Sequence, residues 1–174
     1  MSLFYFDKKM NEYECKLDFN PIIILLEKKF SEKKDSKTLS TIIGCSWYYF
    51  IEGSVNQTPY NYDSDFLLGK WIEYLNIAIQ DFGNCADVCL IVGYTLNLHW
   101  FYFGKEYEKK YTSFYERSIE ISHEKNIGRL ASYFLHHNYN SQIDNLKIIC
   151  DDLFPTESLL DRYFREILNI VIVP

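Results

Sequence analysis

The sequence predicts a mainly α-helical fold: an antiparallel stack of about seven helices, paired into loosely tetratricopeptide-like hairpins. Three observations carry this. From Asp63 onward apolar residues recur at spacings of three and four, the period of one helix face. The periodic stretches are separated by short links containing Gly, Pro, Asn or Asp, which makes consecutive helices antiparallel neighbours. Only one segment, Glu12 to Phe19, alternates strictly, with Tyr13, Cys15, Leu17 and Phe19 apolar between Glu12, Glu14, Lys16 and Asp18.

That alternation is the period of a half-buried strand. Paired with the preceding SLFYF, it predicts a short N-terminal β-hairpin over residues 1–19, with an irregular arm as the alternative. Asn20 then serves as N-cap, with Pro21 at the first helical position, for a helix through Ile22, Leu26 and Phe30 that ends in the charged run EKKFSEKKDSK. Thr38 to Glu52 is read as a helix stopped by Gly53, although its β-branched and aromatic content also suits a buried strand. Asp63 or Ser64 caps a helix in which Leu68, Trp71, Leu75, Ala78 and Phe82 step along one face until Gly83 ends it.

Asn84, with Asp87 three residues later, restarts the chain as a helix from Cys85 to Phe103 that is apolar nearly all round and therefore central. Gly104 closes it. Lys105 to Ser122 forms the next helix, with Tyr107, Tyr111, Phe114, Tyr115 and Ile119 on one stripe. Ile127 to Phe134, Ile143 to Leu153 and Leu160 to Val171 mark three more, the last capped by Thr156. The consecutive rings Trp100 to Phe103 are read as core, with the hydroxyls of Tyr102 and Tyr107 reaching the surface.

A chain of 174 residues suits a single domain, 1–174, able to bury a large core. Five cysteines at irregular spacing, mostly within apolar runs, read as buried thiols in a reducing compartment. Cys85 and Cys89 have no second Cys or His pair to complete a zinc site. The start MSLFYFDKK lacks a basic n-region, and Val88 to Phe103 is too short and too interrupted to span a bilayer, so a cytoplasmic protein with no membrane contact is expected.

Catalytic fingerprints are missing: there is no Gly-x-Ser-x-Gly elbow, phosphate loop, His-Glu-x-x-His or dinucleotide motif. A non-enzyme without cofactor or metal is expected. His99, inside an apolar helix, reads as a core histidine with one hydrogen bond; His136 and His137 read as C-terminal capping groups. Asp151 and Asp152 read as a solvated helix end, and the paired lysines at 28–29 and 33–34, interleaved with acids, as an exposed charged face.

Net charge is −6, which disfavours direct binding of nucleic acid and favours a basic protein partner. The segment from Glu52 to Asp87 concentrates this charge. Its candidate contact residues are Tyr60, Tyr62, Asp63, Asp65, Glu73, Asp81 and Asp87, with Trp71 among them and Lys70 as the lone cation. Carboxylates of this kind speed encounter with a basic surface while tyrosines supply rigid contact area. The plainer alternative is that Asp63, Asp65 and Asp87 cap helices while Glu73 and Asp81 are merely solvated.

Through DFLLGKWIEYLNIAIQDFG and NCADVCLIVGYTLNLHWFYFG, over roughly Asp63 to Leu135, the chain resembles the small acidic helical immunity proteins of bacterial contact-dependent growth inhibition systems. That resemblance implies a stoichiometric inhibitor of a cognate toxin, a nuclease above all, whose basic cleft an acidic protein can occlude. A helical-repeat adaptor holding a peptide or subunit is the alternative expectation.

Overall fold

The computed structural model describes residues 2–56, 63–122, 125–136 and 146–170, with side chains at all of these except 52–56 and 169–170. Nine α-helices occur among them: α1 Lys8–Cys15, α2 Asn20–Glu32, α3 Ser36–Asn56, α4 Ser64–Asp81, α5 Ala86–His99, α6 Lys110–Ser122, α7 Asn126–His136, α8 Leu146–Leu153 and α9 Leu159–Ile170. No β-strand element is present among the described residues. The mainly α expectation holds, while the seven-helix count and the N-terminal hairpin do not.

The hairpin gives way to α1 because the backbone is satisfied locally. Asp7 caps the start, its carboxylate accepting from Met10 N at 2.9 Å. At the other end Asp18 N reaches Tyr13 O at 3.1 Å and Leu17 N reaches Glu14 O at 2.9 Å, the paired bonds of a Schellman cap. Its left-handed position is held by Leu17, at φ +54°. The alternating pattern fails accordingly: Cys15 and Leu17 are exposed, whereas Met10 and Glu14, four apart on one helix face, are buried.

Helix α3 settles the ambiguity at Thr38 to Glu52 in favour of helix, and it runs past Gly53. Asp35 starts it, accepting from Thr38 N and Thr38 Oγ1 at 2.9 Å each. Every residue from Thr38 to Trp47 is buried, because α2, α4, α5 and α9 surround this helix. Its branched side chains thus pack on all sides, a context that overrides their modest helix propensity. Helix α2 begins at Asn20 itself with Phe19 in the cap position, one residue earlier than expected. In α4 the expected cap is in place, with Asp63 Oδ1 accepting from Phe66 N at 3.0 Å.

One apolar cluster extends from Leu3 to Leu168. The N-terminal arm is stitched into it by Leu3 N to Leu153 O at 2.8 Å and Tyr5 N to Thr41 Oγ1 at 2.8 Å. A polar node crosses the same region. Glu14, 6% exposed, accepts from the Tyr49 hydroxyl on one carboxylate oxygen and from Leu159 N, the first amide of α9, at 3.0 Å on the other. Ser158 Oγ accepts from Asp161 N at 3.2 Å, so Ser158 takes the capping position expected of Thr156. Thr156 instead donates through its N–H to Asp161 Oδ2 at 2.8 Å.

Helix α5 is buried from Val88 to Leu96 and packs chiefly on α6 and α3, as expected of a central helix. It stops at His99, four residues short of the expected end. A 3-10 turn, Trp100–Tyr102, follows, then Gly104, a second 3-10 turn at Lys105–Tyr107, and α6 five residues later than expected. No described helix is long and apolar enough to cross a membrane.

Candidate functional site

The turn after α5 is where aromatic surface reaches solvent. Four consecutive rings on an α-helix would radiate at about 100° steps, and one packed face could cover only some of them. A 3-10 turn has about three residues per turn, which places positions three apart on one side. Phe103 N bonds Trp100 O at 2.9 Å, and Trp100 and Phe103 are half-buried, while Phe101 and Tyr102 are 56% and 40% exposed. Gly104, at φ +114° and ψ 161°, then reverses the chain through a conformation that L side chains rarely adopt.

The exposed pair rests on a sealed aromatic base. Tyr102 lies edge-on to Phe50 of α3 at 5.4 Å and to Trp71 of α4 at 5.8 Å between ring centroids. Phe103 meets Trp71 at 5.0 Å, and Phe101 packs on Tyr102 at 4.7 Å. Such edge-to-face pairs fix ring orientation and add roughly 0.5–1.5 kcal/mol each beyond the area they bury. Leu98, the residue before His99, is also exposed. The expectation that Trp100 to Phe103 are core is therefore corrected: Phe101 and Tyr102 are exposed, and Trp100 and Phe103 are only half-buried, Phe103 packing against the core; the surfacing of Tyr102 holds, while Tyr107 is half-buried.

His99 sits at the centre of this corner. Trp47 Nε1 donates to its Nδ1 at 3.0 Å, the single hydrogen bond expected of it, although the ring is half-buried rather than core. Burial lowers its pKa below the ordinary 6.5, and no charged group contributes to that shift. A base activated by a neighbouring carboxylate is not what this geometry provides. Beneath it Trp71 is fully buried with its Nε1–H unanswered, a loss worth about 1–3 kcal/mol.

The acidic residues singled out by sequence do not converge. Asp63, Asp65, Glu73 and Asp81 are exposed and strung along α4, with Asp65 and Asp81 about 24 Å apart at 1.5 Å per residue. Glu73 pairs with Lys70 at 2.9 Å, and Lys70 also holds Glu27 at 2.7 Å. Asp87, half-buried, lies in the first turn of α5, so it and Asp81 mark one end of the α4–α5 pair while Asp63 and Asp65 mark the other. Trp71, two turns into α4, touches the corner, and Asp65 lies six residues nearer the helix start, about 9 Å along the axis at 1.5 Å per residue. Trp71 itself is sealed and is not a contact residue. Tyr60 and Tyr62 lie outside the described residues, as does the side chain of Glu52.

Other candidate chemistry is dispersed. Among the described residues no group of three His, Cys, Asp or Glu is placed to hold a metal ion. Cys45, Cys89 and Cys150 are buried thiols as expected, Cys85 is half-buried, and Cys15 is exposed because its face of α1 points outward. A groove of about 420 Å³ beside the α2–α3 link is lined by Lys29, Lys33 and Lys37, but Glu32 and Asp35 face the same space. Lys29 is further engaged over the Tyr5 ring at 3.5 Å. Asp152 accepts from Asn126 Nδ2 at 2.8 Å, and His136 is exposed at the end of α7; His123 and His137 lie outside the described residues.

No family model, curated protein or solved structure matches the chain.

Proposed function

We propose that the chain is an immunity protein, a stoichiometric inhibitor that binds a basic toxin, a nuclease in the leading case, and occludes its substrate cleft. The observation that supports this is the exposed pair Phe101 and Tyr102, backed by the sealed rings of Phe50 and Trp71. Rigid aromatic side chains on a packed base lose little conformational freedom on binding, which is the property of interface anchors. Exposed carboxylates along α4, with a net charge of −6, favour encounter with a cationic surface.

The test is co-expression with the product of the gene directly upstream. The expected result is restored growth together with a one-to-one complex that survives gel filtration, with dissociation in the nanomolar range or below. If growth is not restored and no complex forms, the inhibitor reading is wrong. Replacing Phe101 and Tyr102 with alanine should weaken the complex by about 2 kcal/mol or more, the usual size of an aromatic anchor.

A further inference from the structure

Helix α9 is tied to the stack by the opposite end of the chain. Its outer face, with Arg162 and Glu166, is exposed, while Leu160, Phe164 and Leu168 are buried. Phe164 stacks on Phe154 at 4.9 Å and lies against Phe4 of the N-terminal arm at 5.7 Å between ring centroids. A Cβ added at Gly44 of α3 would stand 2.9 Å from Leu160 Cδ2 and 3.1 Å from the Phe4 ring, so α3, α9 and the arm meet there without slack. A further tie is polar: Leu159 N, the first amide of α9, donates to Glu14 of α1 at 3.0 Å.

Two carboxylates are shut into that joint. Glu14 is 6% exposed and Asp161 is fully buried. Asp161 Oδ2 accepts from Thr156 N at 2.8 Å and from Thr156 Oγ1 at 2.6 Å, while Oδ1 has no partner among the described residues. The groups that face the two acids are Tyr49, Cys45 and Lys37 from α3 and Arg162 and Arg165 from α9. Among the described residues none of these cations forms an ion pair with either carboxylate, and Arg165 is turned to Glu157 at 3.3 Å. Burial outweighs attraction and raises both carboxyls above their ordinary values, so the packed joint binds protons more tightly than a solvated one.

We infer that α9 is a proton-gated latch: when Glu14 and Asp161 ionise, the helix is released from α1, α3 and the arm at the link of residues 154–158, and the rest of the stack stays folded. Terminal elements open in this way at a lower free energy than the core they cover. In the closed joint two like charges have hydrogen bonds but no ion pair to offset them, whereas water solvates both once it opens. Groups whose closed-state pKa is raised stabilise the latch fully below their ordinary values, 4.5 for Glu14 and 3.8 for Asp161, and lose that contribution as pH rises through the raised values. Closure is thus tightest in acid and loosens toward neutrality. The latch is independent of the partner proposed above.

Cys45 supplies the readout, because its thiol is fully buried and faces Tyr49 and both carboxylates; Cys89, almost as fully buried, lies on α5. The full chain is exposed to dilute N-ethylmaleimide between about pH 4.5 and about pH 7, the window in which the raised carboxyls ionise. Each cysteine is read by peptide mass spectrometry, with rates divided by those of the unfolded chain, and amide hydrogen exchange of α9 and α5 is followed in parallel. Cys45 should react at least about tenfold faster than Cys89 at neutral pH. Its protection, and that of the α9 amides, should fall with pH by as much as about tenfold per unit for each proton released. Glu14→Gln combined with Asp161→Asn keeps the acceptors for Leu159 and Thr156 and should make that protection independent of pH. Should the double variant fail to fold, the wild-type comparison decides. Equal rates at Cys45 and Cys89 would mean that only global unfolding reaches the joint. That result, constant α9 protection across the pH window, or an unchanged slope in the double variant overturns the latch.

Discussion

Leu17 occupies a backbone position that glycine or asparagine normally fills. Its φ of +54° places it in the left-handed region, where a side chain with a Cβ costs roughly 1–2 kcal/mol. The Schellman bonds of α1 hold it there, and 38% of the side chain remains exposed. Leu17→Gly and Leu17→Ala remove the same packing, so their difference isolates the backbone. Chemical denaturation should find the glycine variant more stable than the alanine variant by about 1 kcal/mol, the reverse of the order inside a helix. The opposite test applies at Gly104, whose φ of +114° leads the aromatic turn back into the stack. Gly104→Ala should cost about 1–3 kcal/mol and lower binding at the corner, since the strain falls on the segment that presents Phe101 and Tyr102. An unchanged melting temperature and unchanged binding would show that the turn does not depend on that conformation.

Helices α1, α3 and α9 meet at Glu14, and the pH dependence of stability should report it. Burial pushes the Glu14 carboxyl above its ordinary 4.5, against the opposing pull of the Tyr49 hydroxyl, the Leu159 amide and Arg162. Burial raises Asp161 in the same way, against its bonds to Thr156. A folded value above the unfolded one means that the folded chain binds the proton more tightly. The stabilisation is complete below pH 4.5 and is lost as pH rises through the elevated folded value. Glu14→Gln keeps an acceptor for Leu159 N and removes the titration. The stability of the wild type relative to this variant should therefore decline as pH is raised from 4.5 toward neutrality; a flat difference would contradict it. Glu14→Ala leaves both the Tyr49 hydroxyl and the Leu159 amide without a partner and should cost about 1–3 kcal/mol for each.

The helical stripes from α4 to α9 and the Asp63 cap were legible because they are set by neighbours three and four residues away. Glu14 was not: its partners Tyr49 and Leu159 lie 35 and 145 positions along the chain, so no local pattern marks it as buried. The alternation over Glu12 to Phe19 pointed to a strand because period two is visible in sequence, whereas a Schellman cap built on leucine carries no glycine to announce it. The acidic half of the candidate site was legible as composition, and its spread along α4 followed from the helix expected between Asp63 and Gly83. Of the corner, only the signal WFYFG was present: four rings before a glycine, more than one buried helix face can cover.

That split between charge and aromatic surface leads to a kinetic prediction. Asp63, Asp65, Glu73 and Asp81 are exposed and dispersed, so they act on a partner through the summed field rather than through fixed contacts. Phe101 and Tyr102 act only at contact distance. Reversing Asp65 and Asp81 to lysine should slow association with the proposed toxin partner by about tenfold at low salt and leave dissociation nearly unchanged. The difference should shrink as ionic strength approaches about 0.15 M, where the Debye length falls to about 8 Å. Tyr102→Ala and Phe101→Ala should do the reverse, leaving association within about twofold and accelerating dissociation. Stopped-flow measurement of both rates separates the two. Charge reversal that raises only the dissociation rate would place the acids inside a tight contact instead, and would move the interface from the corner onto the face of α4.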